Sequence, residues 1–126
     1  MESKKVIIGS NVPKSFLPFS PAVQSGEFIF ISGQASVDGE GNIVVGTFEE
    51  ECRRSFGNLR NILDAAGLTF EDVVQVRNYV GKQEDLPLFN QIYKEYFNVP
   101  YPARTTLIGC LGDLLKFEVD VIAKAK

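Results

Sequence analysis

Residues 47–80 read TFEEECRRSFGNLRNILDAAGLTFEDVVQVRNYV, and along them the apolar spacing changes from that of a helix to that of a strand. Thr47 followed by Glu50 makes a capping box, acidic residues fill the first turn, and Gly67 stands where a helix places its C′ residue. Phe48, Cys52, Phe56, Leu59, Leu63 and Ala66 recur at helical spacing and form one apolar face. The next segment, VVQVRNYV at 73–80, is rich in β-branched and aromatic residues and reads as a strand. A one-sided helix running straight into a strand calls for helices laid on a sheet.

Upstream, residues 4–8 read as a short strand, and AVQSG followed by EFIFISGQ reads as a hairpin turning at Ser25-Gly26. Phe28, Phe30 and Ser32 alternate with Ile29, Ile31 and Gly33, so both faces of that strand should be covered. The Gly-rich loop SVDGEGNIVVG lacks the ending of a phosphate loop and reads as turns. Downstream, Asp85 is placed to cap a second helix ending near Asn98, with Leu86, Phe89, Tyr93, Tyr96 and Phe97 on its apolar face. Strands follow at about 103–110 and 114–123; in the last, Phe117, Val119, Val121 and Ala123 alternate with Glu118, Asp120, Ile122 and Lys124. The order ββ(β)-α-β-α-ββ predicts an α+β fold, a single domain over 1–126, with two helices on one face of a mixed sheet. The other sheet face must be polar or be covered by another subunit.

The composition narrows the chemistry. Hydrophobic residues make up 44% and charged residues 23%, the range of soluble globular proteins. The apolar runs FIFI and VIIG are too short to cross a bilayer, and MESKKVIIGS lacks a secretory h-region, so a cytoplasmic protein is expected. The chain has no histidine, which removes Ser-His-Asp and Cys-His catalysis and His-based metal sites. Cys52 and Cys110 show no metal-ligand spacing and read as reduced, structural residues. A net charge of −3 without a basic cluster argues against nucleic-acid binding. Proton transfer would fall to a carboxylate, a lysine, a tyrosine or water.

Within YPARTTL, 101–107, Arg104 stands behind a proline-ended turn and ahead of a strand. One reading is a solvated surface arginine. The other is a fork of donors held by the strand end, placed to grip a carboxylate or phosphate through parallel hydrogen bonds.

The segments LPFSPAV, FISGQ, NLRNILDAAGL, FNQIYKEYF, PARTTL and KFEVDVIA, in this order and spacing from about residue 15 to the C-terminus, resemble the RidA (YjgF) family of reactive intermediate deaminases. The resemblance implies a chorismate-mutase-like fold, a homotrimer and active sites in clefts between subunits. It implies hydrolysis of 2-enamine and 2-imine carboxylates, such as 2-aminoacrylate and 2-iminopropionate, to 2-keto acids and ammonia, with no cofactor and no metal. Arg104 then matches the arginine that grips the substrate carboxylate, and Glu118 the glutamate that activates water and assists proton transfer. Asn90 matches the asparagine of an N-x-x-Y helix segment; otherwise it is an exposed helix position. Gly33 matches the glycine of SGQ, admitting a ligand or neighbouring chain, or else marking a bulge. Ser20 stands in the matching PFS segment, with its hydroxyl toward the site or spent on a turn. Three positions depart from the family: Phe19 replaces a tyrosine, Pro21 removes a backbone donor, and Thr106 replaces a cysteine but keeps its backbone contact with the carboxylate. Alternative readings are a non-catalytic module that binds 2-keto acids, a translation inhibitor or ribonuclease, and a deaminase of longer aminated intermediates.

Overall fold

The computed structural model describes residues 3–126. Eight elements follow one another: β1 (Lys5–Val6), β2 (Ala22–Ser25), β3 (Phe28–Ala35), α1 (Phe48–Ala65), β4 (Val73–Val80), α2 (Leu86–Tyr96), β5 (Ala103–Ile108) and β6 (Phe117–Lys124). The strands form one six-stranded sheet in the order β1-β2-β3-β6-β4-β5. β4 and β5 run parallel and every other neighbouring pair is antiparallel, so the sheet is mixed. The fold is α+β, with both helices contributing to the core on one side of the sheet. No helix among the described residues is long and apolar enough to cross a membrane.

The C-terminal strand lies in the middle. β6 pairs with β3 on one side and β4 on the other, and its alternation divides the molecule. Phe117, Val119, Val121 and Ala123 are buried beneath the helices, while Glu118, Asp120 and Ile122 lie on the opposite face. Ile29 and Ile31 of β3 and Val76 and Val80 of β4 join the buried set. From α1 come Cys52, Phe56, Leu59, Ile62 and Leu63, and from α2 Phe89, Ile92 and Tyr93. Phe56 stacks on Tyr96 with ring centroids 4.5 Å apart and meets Phe117 at 5.4 Å, joining both helices to the central strand. Burial pushes the Cys52 thiol up to about 12, which suits an inert core residue.

The α1 start matches the capping box read from Thr47 and Glu50: Glu50 N–H donates to Thr47 Oγ1 at 3.2 Å, and Thr47 N–H donates to Glu50 Oε1 at 2.8 Å. At the other end Gly67 adopts φ +75° and Leu68 N–H reaches back to the Leu63 carbonyl at 2.8 Å. Arg53 of α1 forms a bidentate pair with Glu95 of α2, both bonds 2.9 Å.

Several sequence-based limits are corrected. Asp85 makes no side-chain cap; a 3₁₀ turn over Gln83–Asp85 runs directly into α2, whose first turn accepts Pro87. α2 stops at Tyr96: Phe97 is already extended and caps the helix with its N–H donating to the Tyr93 carbonyl at 3.1 Å. β5 ends at Ile108 where Gly109 takes φ +82°, and β6 begins only at Phe117 after a loop containing Gly112 at φ +63°. The first strand shrinks to Lys5–Val6, and the hairpin after Ser25 turns through Gly26 at φ +61° and Glu27. Ala66 caps α1 half-buried, and Ile62 takes its place in the apolar stripe.

The face away from the helices is neither wholly polar nor covered within the chain. Phe28 and Phe30 of β3 are 39% and 43% exposed there. They share the surface with Leu107, Arg77, Tyr79, Glu118 and Asp120.

One buried carboxylate ties the helix layer to the sheet. Glu51 is 1% exposed and accepts hydrogen bonds from Gly46 N–H at 3.2 Å, Lys116 N–H at 3.0 Å and Lys116 Nζ at 3.1 Å. Removing it frees backbone donors on both the helix approach and the entry to β6. Glu51→Ala should therefore cost about 3 kcal/mol in urea unfolding, and Lys116→Met less, because both backbone donors keep their acceptor.

Candidate functional site

The bulge in β3 prepares the place of Glu118. The β3–β6 register shifts between Ile31 and Gln34, leaving Ser32 and Gly33 unpaired. Glu118 leans across this gap: a Cβ on Gly33 would stand 2.9 Å from the Glu118 carboxyl carbon, closer than packing permits. Gly33 thus marks a bulge, and the group that approaches it closely is the chain's own Glu118. Glu118 borders an open cleft of about 630 Å³ shared with Leu17, Phe19, Gly33, Arg77 and Asp120. Partial burial, and secondarily the charge of Asp120, raise its pKa above the ordinary glutamate value.

Arg104 is fixed differently. It faces the helix side of the edge strand β5, where α2 presents Phe89, Asn90 and Tyr93. Its guanidinium carbon stands 4.8 Å from the Tyr93 ring centroid and 5.1 Å from that of Phe89. Nη2 donates to Asn90 Oδ1 at 2.9 Å. The aromatic support and the amide hold the fork in one orientation, which a freely solvated arginine would lack. Around it Asn90, Tyr93, Lys94, Tyr101 and Pro102 line a shallow cavity of about 460 Å³. Burial pushes the Tyr93 hydroxyl up to about 12, against the opposing pull of Arg104, so it stays protonated at neutral pH.

The register separates these two places. Arg104 pairs with Val76, and Val76 with Val121, so all three share the helix side. Glu118 stands three residues from Val121 on the same strand and therefore points to the opposite face. Asn90 and Arg104 come together; Phe19, Gly33 and Glu118 come together; the two groups do not meet within one chain.

The remaining positions divide likewise. Thr106 follows Arg104 on the helix side, beside Asn78, and its hydroxyl oxygen is buried without a hydrogen-bond partner. Phe19 is half exposed at the rim of the Glu118 cleft. The Ser20 carbonyl accepts from the Ser32 hydroxyl at 2.6 Å, which ties the PFS segment to β3. Among the described residues no group of three or more His, Cys, Asp or Glu could hold a metal ion.

Sequence reasoning assigned Phe89 and Tyr93 only to the core. Their spacing of four on α2, with Asn90 between, was the available sign that one helix face could carry a cation as well as pack. Arg77 and Asp120 were missed as a pair because only the β4–β6 register sets them opposite one another.

A family model described as Endoribonuclease L-PSP matches residues 9–125. A RutC family protein of Pyrococcus horikoshii is 36% identical over 122 residues, covering 95% of this chain and 97% of that protein. The 2-iminobutanoate/2-iminopropanoate deaminase of Mus musculus is also 36% identical over 122 residues, 95% of this chain and 90% of the relative. Among solved structures, YyfA of Yersinia pestis, described as a member of the conserved Rid protein family, superposes with a TM-score of 0.90 at 28% identity, covering 98% of this chain and 100% of that one. With nearly its whole length matched, the chain belongs to the Endoribonuclease L-PSP family, the group of RidA (YjgF) proteins.

Proposed function

We propose that the protein hydrolyses small 2-imino and 2-enamino carboxylates to 2-keto acids and ammonia, as a homotrimer whose sites lie between neighbouring copies. The observation that carries this reading is the placement of a clamped guanidinium and a partly desolvated carboxylate on opposite faces of one sheet. A single chain cannot bring them to one small substrate. A second copy can, if the Arg104 side of its edge strand meets the open face of the first, and that contact would also cover Phe28 and Phe30. The deaminase name of the mouse relative supports the reaction class.

In this cleft Arg104 of one copy grips the substrate carboxylate through the nitrogens that Asn90 leaves free. The imine carbon is already electrophilic, so positioning and one proton transfer are the main requirements. Glu118 of the neighbouring copy accepts a proton from water as the water oxygen bonds to the imine carbon. It returns that proton to the nitrogen, giving a neutral carbinolamine; Glu118 then takes the hydroxyl proton and passes it to the same nitrogen as the C–N bond breaks, so that ammonia leaves and the keto group forms. The raised pKa of Glu118 brings it nearer neutrality, where one group both takes and gives a proton more readily. Phe19 contributes shape to this cleft but no hydroxyl. An RNA-cleaving role, which the family description names, has less support: the net charge is −3, and the Glu118 cleft holds two carboxylates beside one arginine.

Three outcomes are expected. Pyruvate formation from 2-aminoacrylate generated in situ, with semicarbazide competing, should fall about 100-fold in kcat/KM for Arg104→Ala and remain low for Arg104→Lys, which lacks the planar fork. Glu118→Gln should lose about 100-fold in kcat. Mixing the two inactive variants through unfolding and reassembly should restore activity at about one site in four, since random pairing rebuilds an intact Arg104–Glu118 couple at that frequency; no recovery would place both residues outside a shared site.

The pH behaviour has a definite sign. The folded pKa of Glu118 is raised, so the wild-type rate should rise with pH through a limb above the ordinary glutamate value. The same shift makes the ionised form a burden on the fold, present above the folded pKa and absent at low pH. Glu118→Gln should consequently melt higher than wild type at pH 7, with the difference vanishing in acid.

A further inference from the structure

Arg77 borders the Glu118 cleft and has no part in the chemistry described above. It lies opposite Asp120 in the β4–β6 register and is the only cationic residue lining the cleft among the described residues. Its Nε donates to Asp120 Oδ1 at 2.9 Å, while Tyr79 Oη donates to Asp120 Oδ2 at 2.7 Å. Both oxygens of Asp120 are engaged, whereas Nη1 and Nη2 of Arg77 bond to no described residue.

A cross-strand ion pair at a surface is ordinary and contributes little to stability. Two features set this one apart. Asp120 is only 16% exposed and is held from two sides, so it clamps the guanidinium by one edge. The edge left over is a planar set of donors already oriented before any ligand arrives. Tyr79, its hydroxyl pushed up to about 12 by burial and by Asp120, remains a donor across the working pH range.

We propose that Arg77 reads a second anionic group, so that the cleft prefers imino and enamino acids carrying a terminal carboxylate beyond the one gripped by Arg104. This names the substrate class of the deaminase reading and rests on it. Without Arg77 the cleft would offer Glu118 and Asp120 to a dianion and repel it. With Asp120 paired to Arg77, the free Nη edge is the group such a ligand meets. Asp120 and Glu118 are two residues apart on one strand face, a step of about 7 Å. A chain with two methylenes between the imine carbon and the second carboxylate, with a hydrogen bond at each end, covers that step.

The test compares 2-oxoglutarate with 2-oxopentanoate, which differ by the terminal carboxylate, in calorimetric binding to the full chain. It also compares turnover of the imines that an amino-acid oxidase generates from glutamate and from norvaline, with semicarbazide competing. Wild type should favour the diacid in both measurements. Arg77→Gln should lower the diacid-to-monoacid ratio about tenfold, and Arg77→Lys should give an intermediate ratio, serving also if the glutamine variant fails to fold. Equal affinity of wild type for the two probes, or a ratio indifferent to Arg77, overturns the assignment. Absence of turnover on both imines, with binding still dependent on Arg77, overturns the deaminase reading and leaves the Arg77 assignment standing.

Discussion

The position of β6 between β3 and β4 is the constraint on which both the core and the candidate site depend. A strand with two sheet neighbours has no freedom to slip by one residue, because the slip would send Phe117, Val119, Val121 and Ala123 to the open face and Glu118 and Asp120 under the helices. Burying those two carboxylates without partners would cost far more than any local strain it relieved. The side on which Glu118 stands is therefore set by the whole hydrophobic layer, from Phe56 and Phe89 down to Phe117. Glu51 reinforces the same arrangement by holding the Lys116 backbone at the point where β6 begins.

The Arg104 side follows from β5 being an edge strand over a helix. Its alternate residues face α2, and the only cation among them comes to rest over Tyr93 and Phe89. An arginine on such a platform keeps its charge and loses its wandering, which is what recognition of a planar carboxylate asks for. The two functional groups are thus each rigid for good local reasons, and those same reasons hold them apart.

How far the sequence revealed this depends on the range over which each feature is determined. The α1 cap and its glycine end were legible because Thr47, Glu50 and Gly67 act within a few residues of themselves. The six-stranded mixed sheet was legible in outline from alternation. The limits of α2, β5 and β6 were not: Phe97 turns extended although it belongs to the apolar run, and the positive-φ glycines Gly109 and Gly112 break the chain between β5 and β6. Asp85 looked like a cap by composition, but a 3₁₀ turn had already taken the chain into helical geometry. Arg104 and Glu118 could be named individually; that they face opposite ways could not, since it depends on β4 standing between them in a particular register. The Arg77–Asp120–Tyr79 network is likewise a product of register and leaves no trace in linear spacing.

The open face brings stability and chemistry into one balance. Phe28, Phe30 and Leu107 are half exposed there, and their removal from water is a driving force toward association. Glu118 lies on that same face, and every neighbouring group that displaces water from it disfavours its ionised form. In the proposed assembly the two effects act together: the contact that buries the phenylalanines also deepens the desolvation of the carboxylate, while the arriving Arg104 draws it back toward ionisation. The carboxylate is then poised by two opposed forces supplied by one docking event. A monomer would have neither at full strength, so on this reading assembly completes the proton chemistry as well as the list of residues.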